Sequence, residues 1–193
     1  MEHRHYLLYK PYRMLSQFMT NSKRQKKKRF LGELYSFPED VMSVGRLDEK
    51  TEGLLIVTTD GQLSYKINTS AEFDKEYYAQ VDGMIDQRAI EELTRGVKIS
   101  IEGKSYSTKS CKAFVLQTPP ELPPTQQYIR DDRHGPTSWI SITLTEGKFR
   151  QVRKMCAVVG FPVLRLARIR IGPFGISDLK GQQVMEITEE FER

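Results

Sequence analysis

A chain of 193 residues, 38% hydrophobic and 28% charged, is long enough for a sizeable core in one compact domain or two closely packed halves. Its two cysteines, Cys111 and Cys156, lie far apart in sequence and exclude both a disulfide framework and a paired-cysteine zinc site. No apolar run reaches the length of a membrane span. The amino terminus carries Glu2 and Arg4 where a secretory signal needs apolar residues, so a cytoplasmic location is expected.

The net charge is +5 and it is clustered. Lys23, Arg24, Lys26, Lys27, Lys28 and Arg29 crowd one segment. Lys148, Arg150, Arg153, Lys154, Arg165, Arg168 and Arg170 occupy another that holds no acidic residue. This asymmetry is the footprint of a nucleic-acid binder, with a plain solvated face as the alternative. Glu186, Glu189, Glu190 and Glu192 offset part of the sum at the C-terminal end.

In chain order, His5–Lys10 reads as a strand stopped by Pro11, and residues 21 to 29 as an exposed basic loop ahead of the short segment Phe30 to Leu34. Leu54 to Thr58 is predicted as a buried strand ended by Asp60-Gly61, with a short helix from Gln62 to Ile67. Tyr77 to Val81 alternates as a strand. Ala89, Ile90, Leu93 and Val97 recur at helical spacing behind an Asp86 cap. Pro119, Pro120, Pro123 and Pro124 exclude regular structure, so a long loop runs to Pro136. Trp139 to Leu144 is a strand, and Val152, Met155, Cys156 and Val159 share one face of a helix that ends at Gly160. Strands at Leu164 to Ile171 and Val184 to Ile187 complete an α+β pattern.

The informative segment runs from Val44 to Gly61, VGRLDEKTEGLLIVTTDG. It places one carboxylate, Asp48, at a turn before an apolar run, where Gly45 and Gly53 allow sharp bends and close backbone approach. An aspartate between glycines ordinarily bonds its own backbone, and that reading stays open. Arg46, two residues earlier, shares a face with Asp48 if the segment is extended. Two further stretches stand out: Lys75-Glu76-Tyr77, and Glu146-Gly147-Lys148-Phe149-Arg150-Gln151-Val152-Arg153-Lys154-Met155.

The GRLD string, the Lys-x-Tyr triplet and the third motif resemble, in order, the three motifs of the RsuA-type pseudouridine synthases. With the Lys10-Pro11 opening, the resemblance covers most of the chain. It is closest to the short RluE-type members, which lack an S4 domain and are implied to act on 23S ribosomal RNA. The resemblance implies a pseudouridine synthase fold: a largely antiparallel central sheet, flanking helices, and two subdomains around a catalytic cleft, with residues 1–193 forming the catalytic domain. It implies Asp48 as nucleophile, Arg153 as the guanidinium paired with it, and Tyr77 as the ring that packs on uracil. Arg46 is implied to fill the space left by the displaced base. Lys75, Lys148, Arg150 and Lys154 are read as RNA contacts, because cations on phosphates position RNA without reading its sequence.

Isomerising uridine breaks a C–N bond and forms a C–C bond without a redox step, so no cofactor and no metal are expected. Attack at ribose C1′, attack at base C6 and elimination at ribose all stay open. The expected partner is RNA, either 23S rRNA or a large-subunit assembly intermediate, with no membrane and a monomeric protein. Tyr78 should face away from Tyr77 and serve as core or scaffold. Arg13 and Thr59 depart from the family, which often has glycine and asparagine there. Three competing readings remain: an RNA-binding assembly protein without catalysis, a synthase acting on another RNA, and a glycoside hydrolase pairing Asp48 with Glu49 or Glu52.

Overall fold

The computed structural model describes residues 3–20 and 27–187. Lys23, Arg24 and Lys26 of the basic run, and Glu189, Glu190 and Glu192, lie outside the described residues. The chain divides into two compact units, Met1–Phe73 with Arg168–Arg193, and Asp74–Ala167.

The first unit begins with β1 (His5–Lys10), followed by β2 (Met14–Leu15), β3 (Arg29–Phe30), β4 (Met42–Ser43), β5 (Glu52–Thr58) and α1 (Gly61–Thr69). β1 and β5 pair antiparallel, with Leu7 opposite Ile56 and Lys10 opposite Gly53. All residues of both strands are buried. Their apolar runs, residues 6–9 and 54–57, are explained by a core on each side. Leu7, Leu54 and Ile56 join Ile67 and Phe73 on one face, while Tyr6, Leu8, Leu55 and Val57 join Met14 and Leu31 on the other. Asp60 is the N-cap of α1, its carboxylate accepting from the N–H groups of Gln62 at 2.7 Å and Leu63 at 3.2 Å.

The second unit contains β6 (Lys75–Asp82), α2 (Gln87–Arg95), β7 (Lys98–Ile101), β8 (Lys104–Ser107), β9 (Lys112–Leu116), β10 (Thr137–Leu144) and α3 (Gln151–Val158). Its core gathers Ala79 and Val81 of β6, Ile140 and Ile142 of β10, Ile90 and Leu93 of α2, and Met155 and Cys156 of α3. Asp86 caps α2 by accepting from Ala89 N–H at 2.8 Å. The β7–β8 hairpin is absent from the sequence reading. Its strands are short and rich in lysine and serine, and its Glu102-Gly103 turn, with φ of +50° and +78°, is not one of the strong hairpin dipeptides.

β11 (Val163–Ile171) is divided between the units at Ala167, and the chain closes with β12 (Phe174–Gly175) and β13 (Val184–Glu186) in the first. The strand order is β13-β1-β5-β11 in the first unit and β11-β6-β10-β9 in the second. The pairings β1–β13, β1–β5, β4–β5, β6–β10, β9–β10, β7–β8 and β11–β12 are antiparallel, and β2–β3 is parallel. The α+β reading holds, with α1 a full helix of its own. No helix among the described residues is long and apolar enough to cross a membrane.

Candidate active site

Asp48 sits in an extended segment between β4 and a turn that leads into β5. The segment is fixed from several sides. Val44 N–H donates to Ile56 C=O at 2.8 Å, and Thr51 N–H closes the turn onto Asp48 C=O at 3.0 Å. Ser16 Oγ accepts from Leu47 N–H and donates to Leu47 C=O, both at 2.9 Å. Leu47 is buried, whereas Arg46 is exposed and Asp48 half-buried, an alternation that turns Arg46 and Asp48 to the side away from Leu47. Gly45 has φ +66°. Gly53 has φ +112°, and a Cβ there would overlap the backbone of Arg168.

Two buried cations close to this segment went unassigned in the sequence. Lys10 is fully buried, and its Nζ donates to the carbonyls of Met14 at 2.8 Å and Pro11 at 3.0 Å. Burial pulls the Lys10 ammonium down to about 7; the carboxylates of Glu52, Asp48 and Glu49 oppose the shift and Arg168 adds to it. Arg168 is 4% exposed. Its Nε donates to Leu54 C=O at 2.8 Å, and its Nη2 has no hydrogen-bond partner among the described residues. A lysine before proline and an arginine in a basic run carry no sequence signal of burial, which the strand pairing alone imposes.

In the second unit, Lys75 and Tyr77 stand on β6. Tyr77 lies opposite Ile142 and packs half-buried against the core, on the same strand face as Ala79 and Val81. Tyr78 takes the other face with Glu76, whose carboxylate accepts from Ser141 Oγ at 2.8 Å. Tyr78 thus takes the opposite strand face from Tyr77, as expected, but it is Tyr77 that packs against the core of the second unit.

The third motif wraps the start of α3. Glu146 accepts from Lys109 N–H at 2.9 Å and Gln151 Nε2 at 2.7 Å, and from the Tyr106 hydroxyl at 2.5 Å. Partial burial opposes ionisation of Glu146, but these bonds outweigh it and hold the carboxyl below its usual range. Gln151 Oε1 accepts from Lys148 N–H at 2.9 Å. Arg150 adopts φ +53° at the N-cap position. Arg153 is half-buried on α3, with Nη1 donating to Val163 C=O at 3.4 Å, and Lys154 Nζ donates to Ser100 C=O at 2.7 Å.

Each unit thus collects its own share of the predicted residues: Arg46 and Asp48 in the first, and Lys75, Tyr77, Lys148, Arg150, Arg153 and Lys154 in the second. Leu166 belongs to the second unit's core. The thiols do not compete as nucleophiles, since burial pushes Cys111 up to about 11 and Cys156 to about 12. Of the two acids weighed for a hydrolase pairing, Glu49 binds Lys28 at 2.7 Å and Glu52 is buried within β5.

The profile of the RNA pseudouridylate synthase family matches residues 4–158. The chain belongs to that family. The synthase is 38% identical over 174 residues to "Ribosomal large subunit pseudouridine synthase E" of Xanthomonas axonopodis pv. citri, covering 90% of this chain and 88% of the relative. It is 37% identical over 182 residues to the protein of the same name from Vibrio parahaemolyticus, covering 92% and 71%. With "Ribosomal large subunit pseudouridine synthase B" of Bacillus subtilis it shares 31% over 185 residues, covering 95% and 68%. Among solved structures, one titled "Crystal structure of pseudouridylate synthase" superposes with a TM-score of 0.72 at 24% identity, covering 98% of the synthase and 72% of that chain. This likeness establishes the fold. The synthase is an isomerase that converts uridine to pseudouridine in RNA.

Proposed function

We propose that the synthase modifies a specific uridine of large-subunit ribosomal RNA, with Asp48 as its nucleophile. The relatives named above, all synthases of the large ribosomal subunit, support the substrate. The observation that carries the nucleophile is the pinned GRLD segment: Ser16 fixes both backbone groups of Leu47, the Thr51 bond closes the next turn, and the carboxylate between them is neither fully buried nor loose.

In this reading Arg153 is the guanidinium that pairs with Asp48, and Tyr77 receives the base once it leaves its stack. Base stacking on such a ring is worth roughly 1–3 kcal/mol, comparable with the unstacking cost of a few kcal/mol. Asp48 attacks ribose C1′ or base C6, or elimination at the ribose initiates the reaction. On every route the N1–C1′ bond breaks, the uracil turns, C5 bonds to C1′, the C5 proton leaves and N1 gains one. Tyr77 is positioned by its motif to take the C5 proton. Arg46 occupies the vacated stack, and Lys75, Lys148, Arg150 and Lys154 hold phosphates. Residues 1–193 serve as one catalytic domain, and the protein works as a cytoplasmic monomer.

The test is to map pseudouridine across total RNA from cells with and without the protein, then to assay purified Asp48→Asn. One missing site in large-subunit RNA, restored by the wild type and not by Asp48→Asn, is the expected result. Normal product from Asp48→Asn would remove Asp48 from its role, and binding without any product from the wild type would favour an RNA-binding assembly protein.

A further inference from the structure

Phe149 is a large apolar side chain left 65% exposed on the second unit, in the middle of a basic segment. A single exposed phenylalanine needs no explanation, but this one is held out by a rigid support. The residue before it, Lys148, has its N–H fixed by Gln151, which is itself fixed by Glu146. The residue after it, Arg150, takes a left-handed φ of +53°, a conformation that side chains adopt rarely and that clusters at working sites. Lys154 Nζ stands 5.1 Å from the ring centroid while donating to Ser100 C=O. A lysine anchored in this way covers one face of a ring and leaves the other to a ligand.

Two lysines of the same segment bring positive charge for a polyanion: Lys154 over the Phe149 ring, and Lys148, next to Phe149 in the chain, with its Nζ 5.0 Å from the Tyr106 ring centroid. Glu146, just before this segment, is turned inward by its bonds to Tyr106, Lys109 and Gln151. An exposed aromatic ring in company with ammonium groups is the kind of surface that binds an unstacked nucleobase and its phosphates.

We infer that Phe149 is a stacking platform for a second nucleobase of the RNA substrate, distinct from the target uracil and located outside the duplex stack. The base lies on the open face of the Phe149 ring, and Lys148 and Lys154 take its flanking phosphates. The inference rests on the proposed ribosomal RNA substrate. Stacking reads no hydrogen-bond pattern, so the platform selects an unpaired nucleotide near the target and not a particular base.

The experiment uses the full-length protein and the large-subunit RNA segment that the wild type modifies, with 2-aminopurine placed in turn at unpaired positions around the target uridine. Phe149→Ala and Phe149→Leu should bind this RNA roughly 5- to 100-fold more weakly, whereas Phe149→Tyr and Phe149→Trp should bind as the wild type does. The salt dependence of binding should be unchanged in all four, because no phosphate contact is removed. One 2-aminopurine position should be quenched by the wild type and not by Phe149→Ala. Equal binding by Phe149→Leu and wild type, or no position whose quenching depends on Phe149, would overturn the platform while leaving the proposed reaction intact. A melting temperature lowered in step with affinity would also overturn it, marking Phe149 as structural. Absence of pseudouridine in RNA treated with the wild type would instead overturn the functional reading and the platform with it.

Discussion

Ser16 and Leu47, 31 positions apart, form a closed pair of hydrogen bonds in which one hydroxyl satisfies both backbone groups of the residue preceding Asp48. Both residues are buried, so the pair fixes the backbone next to Asp48 from a site that solvent does not reach. Ser16→Ala leaves the Leu47 N–H and C=O without this partner, at a cost of about 1–3 kcal/mol. If the GRLD segment shifts by about 1 Å, turnover can fall about 100-fold. The expected outcome is a kcat reduced at least about tenfold with RNA affinity retained, measured by single-turnover pseudouridine formation beside an equilibrium binding curve. An unchanged rate would show that Asp48 is placed without Ser16.

At Gly53 the backbone of β5 lies directly against that of β11 at Arg168. Its φ of +112° and the overlap of any Cβ with the Arg168 backbone leave room for no side chain. Gly53→Ala should lower stability by more than about 2 kcal/mol, read as a lower urea midpoint. A midpoint equal to the wild type would contradict the packing of these strands.

Lys10 gives the stability a pH signature. In the unfolded chain its ammonium titrates near 10.5, and in the folded protein burial brings it to about 7. Between those values the unfolded state holds a proton that the native state has released, so stability rises with pH across this window, by up to about 1.4 kcal/mol per unit. Below about pH 7 both states are protonated and Lys10 adds no slope. Urea unfolding from pH 6 to 10 should therefore show wild-type stability rising relative to Lys10→Met above neutrality. Parallel curves would mean that Lys10 stays charged in the fold.

Arg13 stands where the family often has glycine, and its φ is +60°. A left-handed conformation costs a residue with a Cβ roughly 1–2 kcal/mol, which glycine avoids while losing more chain entropy on folding. Arg13→Gly is expected to be neutral to mildly stabilising, by up to about 1 kcal/mol, in thermal unfolding. A clear loss of stability would show that the contact of the Arg13 guanidinium with the Tyr12 ring, 5.7 Å to the centroid, outweighs the strain.

The sequence by itself determined the strands with unbroken apolar runs, the capped helices behind Asp60 and Asp86, the proline-rich loop, and the three motifs that mark an RNA pseudouridine synthase. All of these are local, carried by periodicity, capping chemistry or a contiguous string of residues. Tertiary structure alone decided that Lys10 and Arg168 are buried beside the GRLD segment, that Ser16 reaches Leu47, and that Gly53 yields to β11. It also decided that Tyr77, the predicted partner of the base, shares its strand face with the second unit's core, and that a lysine- and serine-rich stretch closes into the β7–β8 hairpin. Each of these depends on which strand lies beside which, and the environment of a charged or polar side chain is set by neighbours distant in the chain.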